Sequence, residues 1–196
     1  RAGDYASRLC VETMVQSLEK SAHKTPVSLF EEAVTAANKA VFEESASHVE
    51  YEGMGTTVVA CTLEENTLYI ANIGDSRLYL IRDGIEQITD DHSLVEEMVK
   101  QGNITESEAR IHPQKNIITR ALGINEEVQA DFFEIDVEQG DVIMLCSDGL
   151  SNMIEDEDME YIVKNSDTLQ TAAESLVARA NENGGNDNIT VVLAEV

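Results

Sequence analysis

One short run limits the folds open to this chain more than any other. Val142-Ile143-Met144-Leu145-Cys146, entered from Asp141, is apolar at every consecutive position. Side chains of a strand point alternately to opposite faces, so such a run needs cover on both sides. It must lie inside a layered structure, with protein above it and below it. The rest of the chain supplies layers in blocks. Residues 4 to 23 read as a helix, with Leu9, Val15 and Leu18 among its apolar positions. Thr25-Pro26 breaks it, and residues 28 to 47 read as a second helix, with Phe30, Ala33, Ala37, Val41 and Phe42 at helical spacing. Ser28 with Glu31 predicts a capping box at its start.

The period then changes from helix to strand. Residues 57–63 are β-branched and apolar, Glu64-Glu65-Asn66 turns the chain, and residues 67–72 return. Gly74-Asp75-Ser76 punctuates before Arg77 to Arg82, and Asp83-Gly84 is a hairpin dipeptide leading to residues 85–89. This pattern predicts an antiparallel meander of four short strands. Residues 93–111 switch back to helix, interrupted at Gln101-Gly102-Asn103, where Thr105 and Glu108 can cap a second piece. Strands are expected at 116–122, 128–135, 141–146 and 189–193, and helices at about 155–164 and 167–182. Strands and helices in blocks predict an α+β layered sandwich rather than a doubly wound parallel sheet.

Composition narrows the functions. Thirteen basic against 38 acidic residues give a formal charge of −25, which argues against nucleic acid as a partner. No window approaches the roughly 18 apolar residues of a membrane span, so membrane insertion is not expected. The cysteines, Cys10, Cys61 and Cys146, are odd in number and lack a Cys-x-x-Cys pair, so reduced thiols and a cytoplasmic location are expected. At 196 residues the chain fits a single domain, 1–196. It begins without Met at Arg1, inside an apparent helix start, so a native amino terminus is expected to be missing.

Two aspartates stand at strand edges among Gly and Asn: Ser147-Asp148-Gly149 and Gly184-Gly185-Asn186-Asp187-Asn188. Held on neighbouring strands, they offer the oxygen ligands that hard cations such as Mg²⁺ and Mn²⁺ take. Either alone reads first as an Asx-type turn. Asp91, in Asp90-Asp91-His92-Ser93, reads equally as a third carboxylate of that site or as part of an N-cap cluster. His92 reads first as structural, His112-Pro113 first as a turn, and Arg120 as an ion-pair residue or a contact for an anionic substrate. Gly53-Met54-Gly55-Thr56-Thr57 lacks the Lys and following helix of a phosphate-binding P-loop. No Gly-x-Ser-x-Gly occurs, and Cys146 has no basic neighbour, so a Ser or Cys nucleophile lacks support.

Six segments in order carry a resemblance. They are Gly55-Thr56-Thr57, residues 71–77 around Gly74-Asp75-Ser76-Arg77, residues 89–93 around Asp91-His92-Ser93, residues 116–123, Ser147-Asp148-Gly149-Leu150, and residues 185–190. The series resembles the bacterial type 2C metal-dependent serine/threonine protein phosphatases over essentially the whole chain. The resemblance implies a four-layer α-β-β-α sandwich of two antiparallel sheets flanked by helices. It implies hydrolysis of phosphoserine and phosphothreonine in proteins, by a water bridging two Mn²⁺ or Mg²⁺ ions, with a third ion in some members. Asp148 matches the aspartate of the second metal, Asp187 its partner there, and Asp91 the aspartate of the third site. Asn152 stands where the family can carry another third-site Asp, and it offers only a weaker contact. Residues 93 to about 115, with Ser93, Glu96 and His112, match a flap associated with substrate choice. Phosphorylated proteins, including a serine/threonine kinase, are the implied partners.

The family's phosphate-gripping Arg, its first-metal acidic pair and its Asp-Gly-x-Gly-Gly turn have no counterpart in residues 1–196. The resemblance therefore implies little activity for this stretch alone. The alternative is a non-catalytic phosphatase-like module that binds or regulates a partner.

Overall fold

In a computed structural model, residues 2–22 and 25–196 are described. Helices α1 (Ala2–Lys20) and α2 (Pro26–Ser47) come first, followed by a 3₁₀ turn (Val49–Tyr51). Strands β1 (Val58–Glu64), β2 (Thr67–Ile73), β3 (Arg77–Ile81) and β4 (Ile85–Gln87) precede α3 (Leu94–Lys100) and α4 (Glu106–Ile111). Then come β5 (Asp131–Asp136), β6 (Val142–Cys146), α5 (Asp148–Ser151), α6 (Asp156–Lys164), α7 (Leu169–Glu182) and β7 (Val191–Glu195). The expected end of the first helix at His23 lies outside the described residues.

All strand pairings are antiparallel, in two sheets ordered β1-β2-β5 and β4-β3-β6-β7. Three buried clusters alternate with them. Ala6, Cys10, Ala33 and Ala37 of the first two helices pack with Val58 and Ile73 of the first sheet. Leu68 and Ile70 of β2 meet Leu78, Leu80 and Ile143 of the second sheet. Tyr79, Met144 and Cys146 meet Leu150, Met159, Leu176 and Ala180 of the last helices. The layers run α-β-β-α, and β6 is covered as its composition demands, with Ile143 and Leu145 facing one core and Met144 and Cys146 the other.

Three local expectations change. The meander of four strands divides: β2 pairs with β1 and β5, whereas β3 pairs with β4 and β6. The chain crosses between sheets within Gly74-Asp75-Ser76, from Ile73 opposite Val58 to Arg77 opposite Cys146. Only glycine serves at 74, where φ is +103° and a Cβ would lie 2.4 Å from Thr57 Cγ2. Residues 116–122 form a strap rather than a strand, joined by isolated bridges to Thr56, ahead of β1, and to Ser93, at the cap of α3. The second helix begins at Pro26, one position after Thr25, so Ser28 is already inside it and no Ser28–Glu31 capping box forms. The box expected at Thr105 and Glu108 does form, at the start of α4.

Candidate metal and phosphate site

The sheet crossing has a chemical consequence, because it places Asp75 at the end of the sandwich beside the start of α5. Asp148, the first residue of α5, follows directly from the buried strand β6. The last turn is clipped to it. Ser147 Oγ donates to Asn188 O (3.1 Å) and accepts from Thr190 N (3.0 Å), and Ser147 N donates to Thr190 O. A Cβ at Gly149 would lie 2.3 Å from Asn188 O, so this approach of two backbones requires glycine. Asp187 sits in the same turn, exposed, with its Oδ1 accepting from Asn188 N at 2.7 Å.

Asp148 faces two grooves. One, of about 340 Å³, lies under α3 and α4 and is lined by Asp75, Arg77, Asp91, Glu96, Asp148 and Asn152 among others. The second, of about 1070 Å³, brings Asp148 and Asp187 together with Thr57, Arg120 and Asn188. Burial, then repulsion from Asp148 and Asp91, pushes the Asp75 carboxyl up to about 6. Burial, then repulsion from Asp187, raises that of Asp148. Carboxylates driven together in this way, with only oxygen donors, suit a hard divalent cation. Among the described residues, no three His, Cys, Asp or Glu side chains converge as metal ligands.

The site residues expected from sequence divide accordingly. Asp148 and Asp187 share the larger groove. Asp91 is committed elsewhere: Arg77 Nε donates to both its oxygens (2.9 and 3.2 Å), Arg77 Nη2 to its Oδ2 (2.8 Å), and Gln87 Nε2 to its Oδ1 (3.2 Å). Burial alone would lower the Arg77 pKa, but the bonds to Asp91 hold it raised. Arg77 Nη1 also donates to the buried Tyr79 hydroxyl at 2.9 Å. Asp91 is held in this network, and Asp75 lines the smaller groove with Asp148, whose charge acts on it. Sequence reading passed over Asp75 as a turn residue. Its flanking Gly74 and Ser76, small and polar like Ser147 and Gly149, were the available signal.

Asn152 donates through Nδ2 to Asp148 Oδ2 at 3.3 Å. In the flap, Ser93 is buried and caps α3 by accepting from Glu96 N. Glu96 lines the smaller groove, while His112 is a turn residue whose Nδ1 accepts from Gln114 N. Helix α4 is tied down by Arg110, which donates to the carbonyls of Ser151 and Ile154 and pairs with Glu155. Arg120 forms an ion pair with Asp131 at 2.5 Å and also lines the larger groove.

The protein phosphatase 2C family profile matches residues 1–194. The serine/threonine phosphatase stp of Listeria monocytogenes is 39% identical over 200 residues, spanning 100% of this chain and 79% of that protein. The crystal structure of the Mycobacterium tuberculosis serine/threonine phosphatase PstP/Ppp superposes with a TM-score of 0.92 at 36% identity, covering 100% of this chain and 83% of that one. The catalytic domain of the phosphatase PstP in complex with 2 manganese ions superposes at 0.88 with 34% identity, over 99% of this chain and 81% of that one. The chain thus belongs to the protein phosphatase 2C family.

Proposed function

We propose that this protein hydrolyses phosphoserine and phosphothreonine esters in proteins, using Mn²⁺ or Mg²⁺ held on Asp148 with Asp187 on one side and Asp75 on the other. The observation that carries the reading is the position of Asp148 at the junction of two grooves, with a second carboxylate in each. A bound divalent cation supplies charge neutralisation for phosphoryl oxygens and lowers the pKa of water. The chain's own part is to aim and hold the acids. Strand β6 and the Ser147 clip fix Asp148 and the 187–190 turn together, and Asn152 orients one Asp148 oxygen. Arg77, whose charge only partly offsets the burial and repulsion that raise Asp75 and Asp148, is bound to Asp91 and Tyr79. Protein side chains thus leave a concentrated negative charge that a phosphate dianion cannot approach until cations offset it.

The flap of α3 and α4, roofing the smaller groove, is the surface best placed to choose among phosphoproteins. A serine/threonine kinase of the same cell fits as opposing partner and substrate. Three cysteines with no disulfide fit a reducing, cytoplasmic setting. No helix among the described residues is long and apolar enough to cross a membrane.

The test is release of phosphate from a phosphothreonine peptide by the full-length gene product, with Mn²⁺ and after EDTA. Metal-dependent release is expected, and metal-independent or absent release refutes the reading. Residues 1–196 by themselves are expected to turn over slowly, because their described carboxylates meet in pairs. That feature favours, as a second reading, a phosphatase-like binding module. Release near the full-length rate by residues 1–196 would remove the support for it.

A further inference from the structure

His92 is 7% exposed and makes contacts at both ring nitrogens. Gly74 N donates to its Nδ1 at 2.9 Å, and its own backbone N–H donates to Gly74 O at 2.9 Å. One residue therefore grips both polar groups of the glycine that precedes Asp75. Since Nδ1 accepts, Nε2 carries the ring proton and donates it to Asp131 Oδ2 at 2.9 Å. Asp131, on β5, is held in turn by Arg120, which also donates to Gln129 O at 3.0 Å. The His92 carbonyl is fixed too, accepting from Thr119 N at 2.8 Å.

We propose that His92 is the positioning residue for Asp75: by clasping Gly74 from a ring anchored on Asp131, it sets the direction of the Asp75 carboxylate toward Asp148. The inference rests on the cation site proposed above. The three-residue crossing between sheets belongs to neither ladder, so its aim has to come from outside the strands. An imidazole suits the task because it presents an acceptor and a donor in opposite directions from one rigid ring. Asn72 Nδ2 adds only a long 3.4 Å contact to Gly74 O. A core histidine that merely filled space would not join the loop that carries the acid to an anchor on another strand, as the two ring nitrogens do here.

The test titrates Mn²⁺ alone into EDTA-stripped full-length protein and counts bound ions by electron paramagnetic resonance. Four proteins are compared: wild type, Asp75→Asn, His92→Phe and His92→Asn. Phe keeps the ring volume and removes the acceptor, whereas Asn returns an acceptor near the Nδ1 position. Asp75→Asn should abolish one class of Mn²⁺. His92→Phe should weaken that class by about 10–100-fold, as loss of an outer partner of a ligand does, and His92→Asn should recover to within about 3-fold of wild type. Wild-type Mn²⁺ affinity in His92→Phe, or equal weakening in both His92 variants, overturns the proposal. If Asp75→Asn itself leaves Mn²⁺ binding unchanged, the cation site on Asp75 is wrong and the proposal falls with it. Should His92→Phe fail to fold, Asp131→Ala releases the far end of the ring from an accessible position. It should weaken the same class several-fold, and no weakening there overturns the proposal equally.

Discussion

Replacing Asp75 by Asn should stabilise the metal-free protein while removing its response to metal. Burial and the neighbouring Asp148 and Asp91 push the Asp75 carboxyl from 3.8 up to about 6. That displacement corresponds to roughly 3 kcal/mol disfavouring the ionised acid in the folded state. The folded protein holds this proton more tightly than the unfolded chain does. Stability of the stripped protein therefore falls as pH rises from about 4 to about 6, and Asp75→Asn escapes that part of the fall. At pH 7.5 in EDTA the variant should gain about 1–3 kcal/mol, the lower end allowing for relaxation around the charge. For a domain of this size that is about 2–12 °C in melting temperature. Near pH 3, below both values, the two proteins should melt nearly together, since Asp75 is then mostly protonated in both states. Millimolar Mn²⁺ should reverse the order by raising the wild type and not the variant. Thermal melts at the two pH values, with and without Mn²⁺, provide the assay. A variant less stable than wild type in EDTA at pH 7.5 would refute the argument that Asp75 is held at an energetic cost for a ligand.

Five further substitutions probe the site and its surrounding frame. Arg77→Met leaves Asp91 without its main partner, and the pair's side chains are only 21% and 10% exposed; urea denaturation should show a loss near the lower end of about 3–5 kcal/mol. Gly149→Ala drives a methyl group to 2.3 Å from Asn188 O, so stability should fall by about 1–3 kcal/mol, with weaker Mn²⁺ stabilisation in the same melts as the 187–190 turn moves from Asp148. Asp148→Asn and Asp187→Asn should each remove most Mn²⁺-dependent phosphate release by the full-length protein, whereas Asp91→Ala should act mainly through stability, seen as a lowered melting temperature before any loss of metal affinity.

The layered architecture was legible because burial leaves marks in local sequence. The apolar run 142–146 demanded cover on both faces, and the change of period after residue 47 separated helices from strands. Asp148 and Asp187 were legible for a related reason, since each ends or begins a strand in a turn of small residues. What the sequence hid depends on which strand pairs with which. Four consecutive strands read as one meander, because hairpin signals describe neighbours and not sheets. Nothing local announces that the chain leaves one sheet at Ile73 and joins another at Arg77. Asp75 becomes part of the site only through that crossing. The ion pair of Asp91 was hidden for the same reason: its partner Arg77 lies 14 positions away, at the start of the strand the crossing creates. The strap 116–122 has strand-like composition, but only two of its residues, Ile118 and Leu122, meet a bridging partner. Residue type without a neighbouring strand did not make a ladder.

The central claim is that Asp148 is the shared ligand of cations held with Asp75 and Asp187. Anomalous diffraction at the manganese edge, from crystals of the full-length protein grown with Mn²⁺, tests it most directly. The account predicts anomalous peaks on the Asp148 carboxylate, one on the Asp187 side and one on the Asp75 side, and none on Asp91. Manganese bound on Asp91 with the Arg77 pair broken, or no peak at Asp148, would contradict it.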